Sequence, residues 1–341
     1  MLSHERLSHI LDRLPSLTIG LVGDLYLDRY LELAPGVTEL SIETGLEAYQ
    51  VERIRNSPGA MGTVMNNLAA LGVGRLVPVT VIGDDGHAFD LLKALRPLPV
   101  NTELILRDAR RLTPTYTKPL RPAGQGAWSE LNRLDVRSRA PLPDDVTAVL
   151  LERMALMFEQ VDGIVVLDQV VEENWGVVNE WVRLELAKLA DAYREKLVYV
   201  DSRAYLGRFS AAVLKGNRTE LQRAAGESAD AAASARELAR RNQRPVFCTC
   251  GEEGILVAES NSATTLVPGV RVAGPVDIVG AGDAATSGIV CALLCGASPA
   301  EAAVVGNLAA SITVQQLGTT GTASPEQMLH RWHEYARQRT A

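Results

Sequence analysis

The chain has 341 residues, of which 47% are hydrophobic and 22% charged, and its formal net charge at pH 7 is −7. This composition is typical of a soluble globular protein with a sizeable core, and the charge disfavours nucleic acid or an anionic membrane as the main partner. Residues 1–15 carry charges and lack the apolar stretch of a secretory signal. No apolar run approaches the length of about 20 residues that spans a bilayer, so we expect a cytoplasmic protein.

In the first 136 residues, regular helix and strand patterns alternate with two polar segments that do not fit them. The two exceptions, residues 25–57 and 102–136, show the period-two alternation of half-exposed strands, for example at Leu46–Ile54. They predict a small antiparallel sheet built from two insertions. The regular elements predicted here are helices at Ser3–Arg13, at Thr63–Leu71 and from Gly86 to about Leu95, and strands at Leu17–Val22 and Leu76–Ile82.

Beyond Pro143 helices and strands alternate without interruption, which indicates a parallel sheet covered by helices on both faces. We therefore expect one α/β domain over residues 1–341, with the two insertions as a small β-sheet lid. The elements predicted in this part are helices at Asp144–Gln160, Asn174–Arg194, Asp283–Leu294 and Pro299–Leu317, further helical stretches between Asn217 and Asn242, a last helix from Pro325, and strands at Gly163–Leu167, Leu197–Val200, Leu214–Asn217, Val246–Thr249, Ile255–Ala258 and Thr265–Val267.

The four cysteines form two pairs that are close in sequence. Cys248 and Cys250 lie in an apolar run with strand character, whose period of two places them on one face, and Cys291 and Cys295 have the i,i+4 spacing of one helical turn. Neither pair has the C-x2-C spacing of a structural zinc site. We therefore expect free thiols rather than a metal centre.

The strongest local signal is the run Asp277-Ile278-Val279-Gly280-Ala281-Gly282-Asp283, which precedes an apolar helix. Two glycines at a helix start leave backbone N–H groups unobstructed, and the helix dipole adds positive potential, so Gly280, Ala281 and Gly282 can form an anion hole. Asp283 at its edge would repel a bound anion, but it suits a base that takes a proton from an attacking hydroxyl. On this segment alone, an Asp that caps a helix after a glycine turn explains the residues equally well.

Two further segments place polar residues and glycines next to strands. Thr249-Cys250-Gly251-Glu252-Glu253-Gly254 lies between two strand patterns and by itself predicts a hairpin turn. Asn217-Arg218-Thr219-Glu220 follows a strand and by itself predicts a loop with a helix cap. The chain has no G-x-x-x-x-G-K-[ST] motif, and its G-x-G lacks the dinucleotide spacing, which disfavours P-loop and Rossmann nucleotide sites.

Taken together, Asn-x-x-Glu, Thr-x-Gly-x-x-Gly and Asp-x-x-Gly-Ala-Gly-Asp occur in an order and spacing that resemble the ribokinase-like (PfkB) carbohydrate kinase family over nearly the whole chain. Within that family, residues 22–30, 114–118 and 133–135 are most similar to the heptose-phosphate kinase domain of ADP-heptose biosynthesis. The resemblance implies a three-layer α/β/α core with a mainly parallel sheet and a lid. It also implies an ATP-dependent kinase that acts on a hydroxyl of a sugar or sugar phosphate.

The resemblance implies roles for the residues that match the family's motifs. Asp283 would be the catalytic base, with the Gly280–Asp283 backbone as the anion hole. The acceptor would be held by Asp24 after the first strand and by the turn that contains Gly59, Ala60 and Thr63. Asn217 and Glu220 would arrange Mg²⁺ through water. Thr249, Gly251 and Gly254 would line the ATP site. Asp277 would bind a monovalent cation or stabilise the loop structure.

Several residues depart from the family's pattern. Ala60 replaces the second glycine of the sugar-binding turn, and Thr63 replaces an Asn that could donate two amide hydrogens. Asp201-Ser202-Arg203 stands where Asp-Pro-Lys is typical of the heptose enzymes. Two alternatives therefore stay open, a kinase of a nucleoside or other non-sugar alcohol and a catalytically silent regulatory protein that binds a sugar or nucleotide. The presence of Asp283, Asn217 and Glu220 favours an active enzyme.

Basic residues in the second insertion are candidates to hold the distal phosphate of a sugar phosphate. They are Lys118, Arg121 and Arg133, since Lys and Arg are the usual partners of phosphate groups. A solvated lid surface explains the same residues. Because the edges of the lid sheet could pair between two subunits, a homodimer through the lid is a further hypothesis.

Overall fold

The computed structural model describes residues 2–124, 127–226, 230–318 and 320–340. A nine-stranded sheet with helices on both faces forms the core, and a smaller sheet stands beside it. The predicted fold class is thereby confirmed. The strands are β1 (Thr18–Gly23), β2 (Leu25–Leu33), β3 (Glu39–Leu40), β4 (Glu47–Ala48), β5 (Val51–Ala60), β6 (Arg75–Gly83), β7 (Ile105–Asp108), β8 (Thr115–Gly124), β9 (Ala127–Glu130), β10 (Leu134–Val136), β11 (Gly163–Asp168), β12 (Leu197–Ser202), β13 (Val213–Asn217), β14 (Val246–Thr249), β15 (Gly254–Ala258) and β16 (Thr265–Pro268).

Ten helices connect and cover these strands in the described part of the chain. One apolar cluster fills the space between the large sheet and the layer that contains α1, α2, α3, α8, α9 and α10. A second cluster lies under α4, α5, α6 and α7 on the opposite face. The helices are α1 (His4–Arg13), α2 (Met61–Ala70), α3 (Gly86–Leu95), α4 (Asp144–Gln160), α5 (Glu180–Ala192), α6 (Arg218–Ala225), α7 (Ala231–Asn242), α8 (Ala281–Leu294), α9 (Pro299–Thr313) and α10 (Pro325–Thr340).

The large sheet has the strand order β16-β15-β14-β13-β12-β11-β1-β6-β7. The seven strands from β14 to β7 in this order run parallel, and β15 and β16 add an antiparallel edge. Strand β11 is buried along its whole length, as expected for a parallel strand with helices on both faces. All seven parallel strands end at the same edge, where ligands bind in open α/β sheets.

The small sheet has the strand order β10-β8-β2-β5, with β9 paired to β8. Its strands β2 and β5 are antiparallel, whereas β2 and β8 are parallel. The prediction of a purely antiparallel lid was therefore wrong, because a period-two pattern does not report strand direction. Strands β2 and β8 follow β1 and β7 along the chain, and both start from the same edge of the large sheet.

Several predicted boundaries are corrected by the structure. Strand β7 lies inside the predicted insertion 102–136, but it pairs with β6 of the large sheet. Helix α5 begins at Glu180 rather than Asn174, because the Asn179 side chain caps it by accepting a hydrogen bond from the Val182 N–H at 3.0 Å. The predicted lid strand Leu46–Ile54 is split between β4 and β5. Helix α8 begins two residues before Asp283, and α9 ends at Thr313. The helical stretch predicted before Asn242 crosses residues 227–229, which lie outside the described residues.

Across the ranges that the structure describes, no helix combines the length and the apolar character that a membrane span requires.

Candidate active site

Helix α8 begins at the carboxyl-terminal edge of the large sheet. Gly280, the residue before it, has a φ of +81°, a conformation that glycine adopts at little cost. No side chain from the described residues caps the helix. Since Ala281 N–H donates to Ile278 O at 3.2 Å, the N–H groups of Gly282 and Asp283 are those that a helix start offers to an anion.

Asp283 is the third residue of α8, so it does not cap the helix as one of the two explanations of its motif required. Burial raises the pKa of Asp283 to about 7, with the Lys215 ammonium acting against this shift and the Asp201 carboxylate adding to it. A carboxyl group that ionises near neutral pH suits general base catalysis, because a large fraction of it is ionised and the carboxylate is basic enough to accept a proton.

Lys215 lies beneath the start of α8. Its Nζ is 2.6 Å from Oδ2 of Asp201 and 3.2 Å from the position that a Cβ on Gly282 would occupy. The side chains of Lys215 and Asp201 are 8% and 9% exposed, which makes this a buried ion pair. Burial acts to lower the pKa of Lys215, but the surrounding carboxylates, of which Asp201 has the largest effect, together outweigh it and raise the pKa. A fixed positive charge therefore sits under the proposed anion hole.

Asn217 and Glu220 form a reciprocal cap at the start of α6. Asn217 Oδ1 accepts from the Glu220 N–H at 3.0 Å, and Glu220 Oε2 accepts from the Asn217 N–H at 2.7 Å. The helix cap that the sequence allowed is thus present, and it leaves Oε1 of Glu220 for another partner. Burial raises the pKa of Glu220, with Asp201 adding to this shift and Lys215 acting against it. The Lys215 ammonium is affected by both Glu220 and Asp283, so the two carboxyl groups share one charged neighbour.

The segment Thr249–Gly254 connects β14 to β15. Gly254 has a φ of +108°, and a Cβ there would lie 2.2 Å from the carbonyl oxygen of Val267, so only glycine fits. Thr249 is paired in register with Asn217 across β13 and β14. The two predicted nucleotide segments therefore lie side by side at the edge of the sheet, as they must if both are to contact one ATP.

Asp277 ties the loop before α8 to the segment that follows α9. Its Oδ1 accepts from the Val279 N–H at 3.0 Å, and its Oδ2 accepts from the Gly318 N–H at 3.2 Å. Both carboxylate oxygens thus bind backbone. Of the two implied roles for Asp277, this arrangement favours the loop structure over a monovalent cation.

Asp24 is buried and held by the loop before α5. Its carboxylate accepts from the N–H groups of Gln169 and Val170 at 3.0 and 3.3 Å, and from that of Val177 at 2.8 Å. Burial raises the pKa of Asp24, although the hydrogen bonds from these three N–H groups act to lower it. With both oxygens occupied by backbone amides, Asp24 fits a structural role better than the predicted contact with substrate hydroxyls.

Asp28, four residues further on in β2, faces the cleft instead. A Cβ on Gly59 of the neighbouring strand would lie 2.8 Å from Cγ of Asp28, and Lys118 Nζ is 3.3 Å from its Oδ1. Burial raises the pKa of Asp28, with Lys118 acting against this shift. The charge of Asp28 in turn contributes to raising the pKa of Asp283, so the two carboxyl groups share one electrostatic environment.

The three basic residues predicted to hold a phosphate are separated by the structure. Lys118 contacts Asp28 and lies 4.9 Å from the ring centre of Tyr30. Arg121 pairs with Glu47 at 2.7 Å, near the tip of the small sheet. Arg133 lies over the ring of Tyr116 at 4.0 Å and pairs with Asp135. Only Lys118 among these three contacts Asp28, the residue of the small sheet that faces the cleft.

The turn that departs from the family's pattern keeps an unusual backbone shape. Ala60 has φ +52° and ψ −114°, a region that costs a residue with a Cβ about 1–3 kcal/mol. The turn thus has the conformation of a glycine although it carries an alanine. Thr63 is buried on α2, and its Cγ2 is 3.7 Å from the position that a Cβ on Gly280 would occupy. The acceptor turn and the start of α8 are therefore neighbours.

Sequence reasoning gave no role to Asp28, Lys215 or Asp201. Each is a buried charged residue in a strand, Asp28 in Leu25–Leu33, Lys215 in Val213–Asn217 and Asp201 near the end of Leu197–Ser202. Because a charge is rarely buried unless it is paired or functional, a search for a single charge in an apolar strand could have found Lys215 and Asp201, whereas Asp28 shares its strand with Arg29 and Glu32. Their common location, however, follows only from the sheet order.

A mainly parallel sheet between two helix layers, with a small sheet across the cleft from α8, defines an α/β protein of the ribokinase fold. The solved structure of Arabidopsis thaliana ribokinase complexed with ribose and ATP matches it with a TM-score of 0.66 and 18% identity, over 92% of this chain and 98% of that one. The chain belongs to the pfkB family of carbohydrate kinases, whose family model matches residues 37–327. The predicted family is thus confirmed.

Curated relatives extend the likeness over most of the chain. The bifunctional protein HldE of Paramagnetospirillum magneticum is 29% identical over 327 residues, which cover 91% of this chain and 62% of the relative. That of Trichlorobacter lovleyi is 30% identical over 337 residues, covering 96% and 65%. The chain therefore spans slightly less than two thirds of the length of these relatives.

Proposed function

We propose that the chain transfers the γ-phosphoryl group of ATP to a hydroxyl of a sugar or sugar phosphate. The observation that carries the proposal is Asp283, whose pKa of about 7 belongs to a carboxyl group set in the first turn of α8. The uncapped N–H groups of α8 and the Lys215 ammonium beneath them supply positive potential at the same point. A base next to an anion site is the arrangement that phosphoryl transfer to an alcohol requires.

In the proposed reaction Asp283 accepts the proton of the acceptor hydroxyl as its oxygen attacks the γ-phosphorus. The bond between that phosphorus and the bridging oxygen to the β-phosphate breaks, and ADP leaves. The Gly282 and Asp283 N–H groups stabilise the charge on the transferring group, with the Lys215 charge behind them. Thr249, Gly251 and Gly254 line the ATP site.

The residues present fit Mg²⁺ that is held through water rather than by direct ligation. Within the described residues there is no group of three His, Cys, Asp or Glu side chains that could hold a metal ion. Mg²⁺ usually keeps several waters and binds through phosphates and one or two carboxylates, and Oε1 of Glu220 is the oxygen that the α6 cap leaves for such a water. When bound, the ion would neutralise charge on the ATP phosphates.

On the acceptor side we propose Asp28, with Gly59 beside it, in place of Asp24 as the carboxylate that binds substrate hydroxyls. Asp28 shares the cleft with Asp283, whereas both oxygens of Asp24 already accept from backbone amides. Lys118 is the residue that we propose for a distal phosphate, since it lies next to Asp28 and would be released from that ion pair when an anionic acceptor binds.

The experiment that tests this proposal is ADP release with a panel of sugars and sugar phosphates, for wild type and for Asp283→Asn. We expect turnover with at least one acceptor, and a fall of about 10²–10⁴-fold in kcat for the variant, with ATP binding retained in calorimetry. Near-wild-type turnover of Asp283→Asn would contradict the proposal that Asp283 is the catalytic base. The absence of turnover with every acceptor, alongside measurable ligand binding, would favour a silent regulatory protein.

The altered acceptor turn is the feature that favoured the regulatory alternative. Because Ala60 keeps a backbone conformation typical of glycine, the substitution does not by itself remove the turn. Asp283 and Glu220 both act on the Lys215 ammonium, and their presence favours an active kinase. We therefore retain the kinase as the proposed function, with the substrate to be identified from the panel.

We also propose that two copies of the chain associate through their small sheets. Exposed apolar side chains gather on this sheet and on the β3–β4 hairpin, and Ile42 at its tip is 99% exposed. An apolar surface of this kind is typical of an interface. Light scattering should give a dimer mass for wild type and a monomer for Ile42→Asp with Leu40→Asp. A monomeric wild type would contradict the proposal. The exposed residues are Val37, Leu40, Ile42, Leu46, Tyr49, Val51, Ile54, Trp128 and Leu134.

A further inference from the structure

Two cysteine thiols meet at the start of the Thr249–Gly254 segment. Cys250 Sγ is 3.8 Å from Cys248 Sγ and 3.5 Å from the Cys248 carbonyl oxygen. All four cysteines of the chain are free thiols. In a regular strand, the side chains of residues i and i+2 point the same way but stand about 6–7 Å apart, so the contact between these sulfurs needs a local change in the backbone.

The change occurs at Cys250, where strand β14 has ended. Cys250 has φ −115° and ψ 29°, which turns the chain into the short helical turn Gly251–Glu253. Cys248, in contrast, is held within the sheet, paired in register with Gly216 on one side and Leu256 on the other. Because Cys248 is held on both sides, backbone movement that accompanies a closer approach of the two sulfurs falls on Cys250 and the turn that follows it.

The two thiols differ in their surroundings. Cys248 is fully buried, and burial raises its pKa to about 12. Cys250 is part exposed, and together with Glu253, which pairs with Arg218 at 2.6 Å, it acts to raise the pKa of the Arg218 guanidinium. A small oxidant can therefore reach Cys250 first.

We propose that Cys248 and Cys250 are a modification site at which peroxide closes a reversible disulfide and weakens ATP binding. The Cys250 sulfur attacks hydrogen peroxide, the O–O bond breaks, and a sulfenic acid and water result. Cys248 then attacks that sulfur, the S–O bond breaks, and the hydroxyl leaves as water with the Cys248 proton. Two thiols and one hydrogen peroxide thus give one disulfide and two waters.

The effect on ATP follows from the distance that the sulfurs must travel. A disulfide bond is about 2.05 Å long, so closure shortens the present 3.8 Å separation by roughly 1.8 Å. This movement falls on residues 249–251. The predicted effect on ATP depends on the proposed function, in which Thr249 and Gly251 line the ATP site. Loss of about one hydrogen bond to the nucleotide corresponds to a rise of about tenfold in the KM for ATP.

The test treats the reduced protein with equimolar hydrogen peroxide and follows two signals. Mass spectrometry of the peptide that carries both cysteines should show the loss of two hydrogens, and the KM for ATP should rise by about tenfold and recover with dithiothreitol. Cys248→Ala, which lacks the second sulfur, should give a sulfenic acid trapped by dimedone and an unchanged KM. Cys291→Ala is the matched control, and it should respond to peroxide as wild type does.

The outcomes separate this proposal from the proposed function. Peroxide that leaves both thiols free, or that closes the disulfide without a change in the KM for ATP, overturns the modification site while the kinase assignment stands. A wild-type response in Cys248→Ala overturns it as well. Absence of turnover in the fully reduced protein counts against the kinase, and in that case binding of an ATP analogue, measured before and after oxidation, replaces the KM as the readout.

Discussion

Replacing Lys215 with Met tests whether the buried ion pair beneath α8 supports both the fold and the base. The substitution keeps much of the side-chain volume but removes the ammonium that pairs with Asp201 at 2.6 Å. Thr286 Oγ1, at 3.4 Å from the same carboxylate oxygen, stays in place but carries no charge. The Asp201 carboxylate is then left buried without its counter-charge.

The expected loss of stability is large because the pair is buried. With side-chain exposures of 8% and 9%, the relevant comparison is with buried pairs, where removal of one partner costs about 3–5 kcal/mol, and not with surface pairs, which are worth about 0–1 kcal/mol. The double variant Lys215→Met/Asp201→Asn removes both charges. It should therefore be more stable than Lys215→Met alone, with a coupling energy of about 2 kcal/mol.

The same substitution should move the pH dependence of turnover. Lys215 lowers the pKa of Asp283, which stands at about 7. At an effective dielectric constant near 20, a unit charge is worth about 4 kcal/mol at 4 Å and less at larger separations, so loss of the Lys215 charge can account for a shift of about one to two pH units. The base acts when ionised, so kcat/KM falls as pH drops through this pKa. Lys215→Met should shift that fall to higher pH by about one to two units.

Asp201→Asn provides the matched control with the opposite sign. The Asp201 carboxylate raises the pKa of Asp283, so its removal should shift the fall in kcat/KM to lower pH. The measurements are urea unfolding and kcat/KM from pH 5.5 to 9.5 for both single variants and the double variant. Shifts in the same direction for Lys215→Met and Asp201→Asn would refute the electrostatic argument, as would strictly additive losses of stability.

Three further predictions concern the acceptor side. Ala60→Gly should raise the melting temperature by a few degrees, since it relieves about 1–3 kcal/mol of backbone strain and adds only about 0.4–1 kcal/mol of unfolded-state entropy. Ala69→Gly inside α2 is the control and should lower the melting temperature. If Ala60→Gly also lowers the melting temperature, the backbone at Ala60 is not strained. Asp28→Asn should reduce kcat/KM for the acceptor by about 10²-fold with little change in the KM for ATP. If the variant weakens the binding of ATP and of the acceptor equally, Asp28 does not bind the acceptor specifically. Arg121→Ala should leave turnover unchanged, and a marked fall would show that the pair with Glu47 is not its only role.

The chemistry of the α8 segment could be predicted from the sequence because it depends on consecutive residues. Gly280, Ala281, Gly282 and Asp283 form a glycine turn, a helix start and an acid within four positions, and local geometry alone brings them together. The same holds for Asn217 and Glu220, whose mutual cap needs only the first turn of α6.

The acceptor side could not be predicted in the same way. Asp24 and Asp28 are both acids in or next to one apolar stretch, and the sequence offers no means to choose between them. The choice depends on a distant loop, because Gln169, Val170 and Val177 supply the amides that occupy Asp24. That loop was itself assigned partly to a helix in the sequence-based prediction.

By itself, then, the sequence determined the α/β class, the family and the motif at Gly280–Asp283, since periodicity and contiguous motifs are local properties of a chain. Only the tertiary structure decided which charges meet. Lys215 and Asp201 are neighbours because β12 and β13 pair in parallel, and Asp28 reaches the cleft because β2 stands beside β5 and β8. Such contacts depend on strand order, register and direction, which a period-two pattern does not carry.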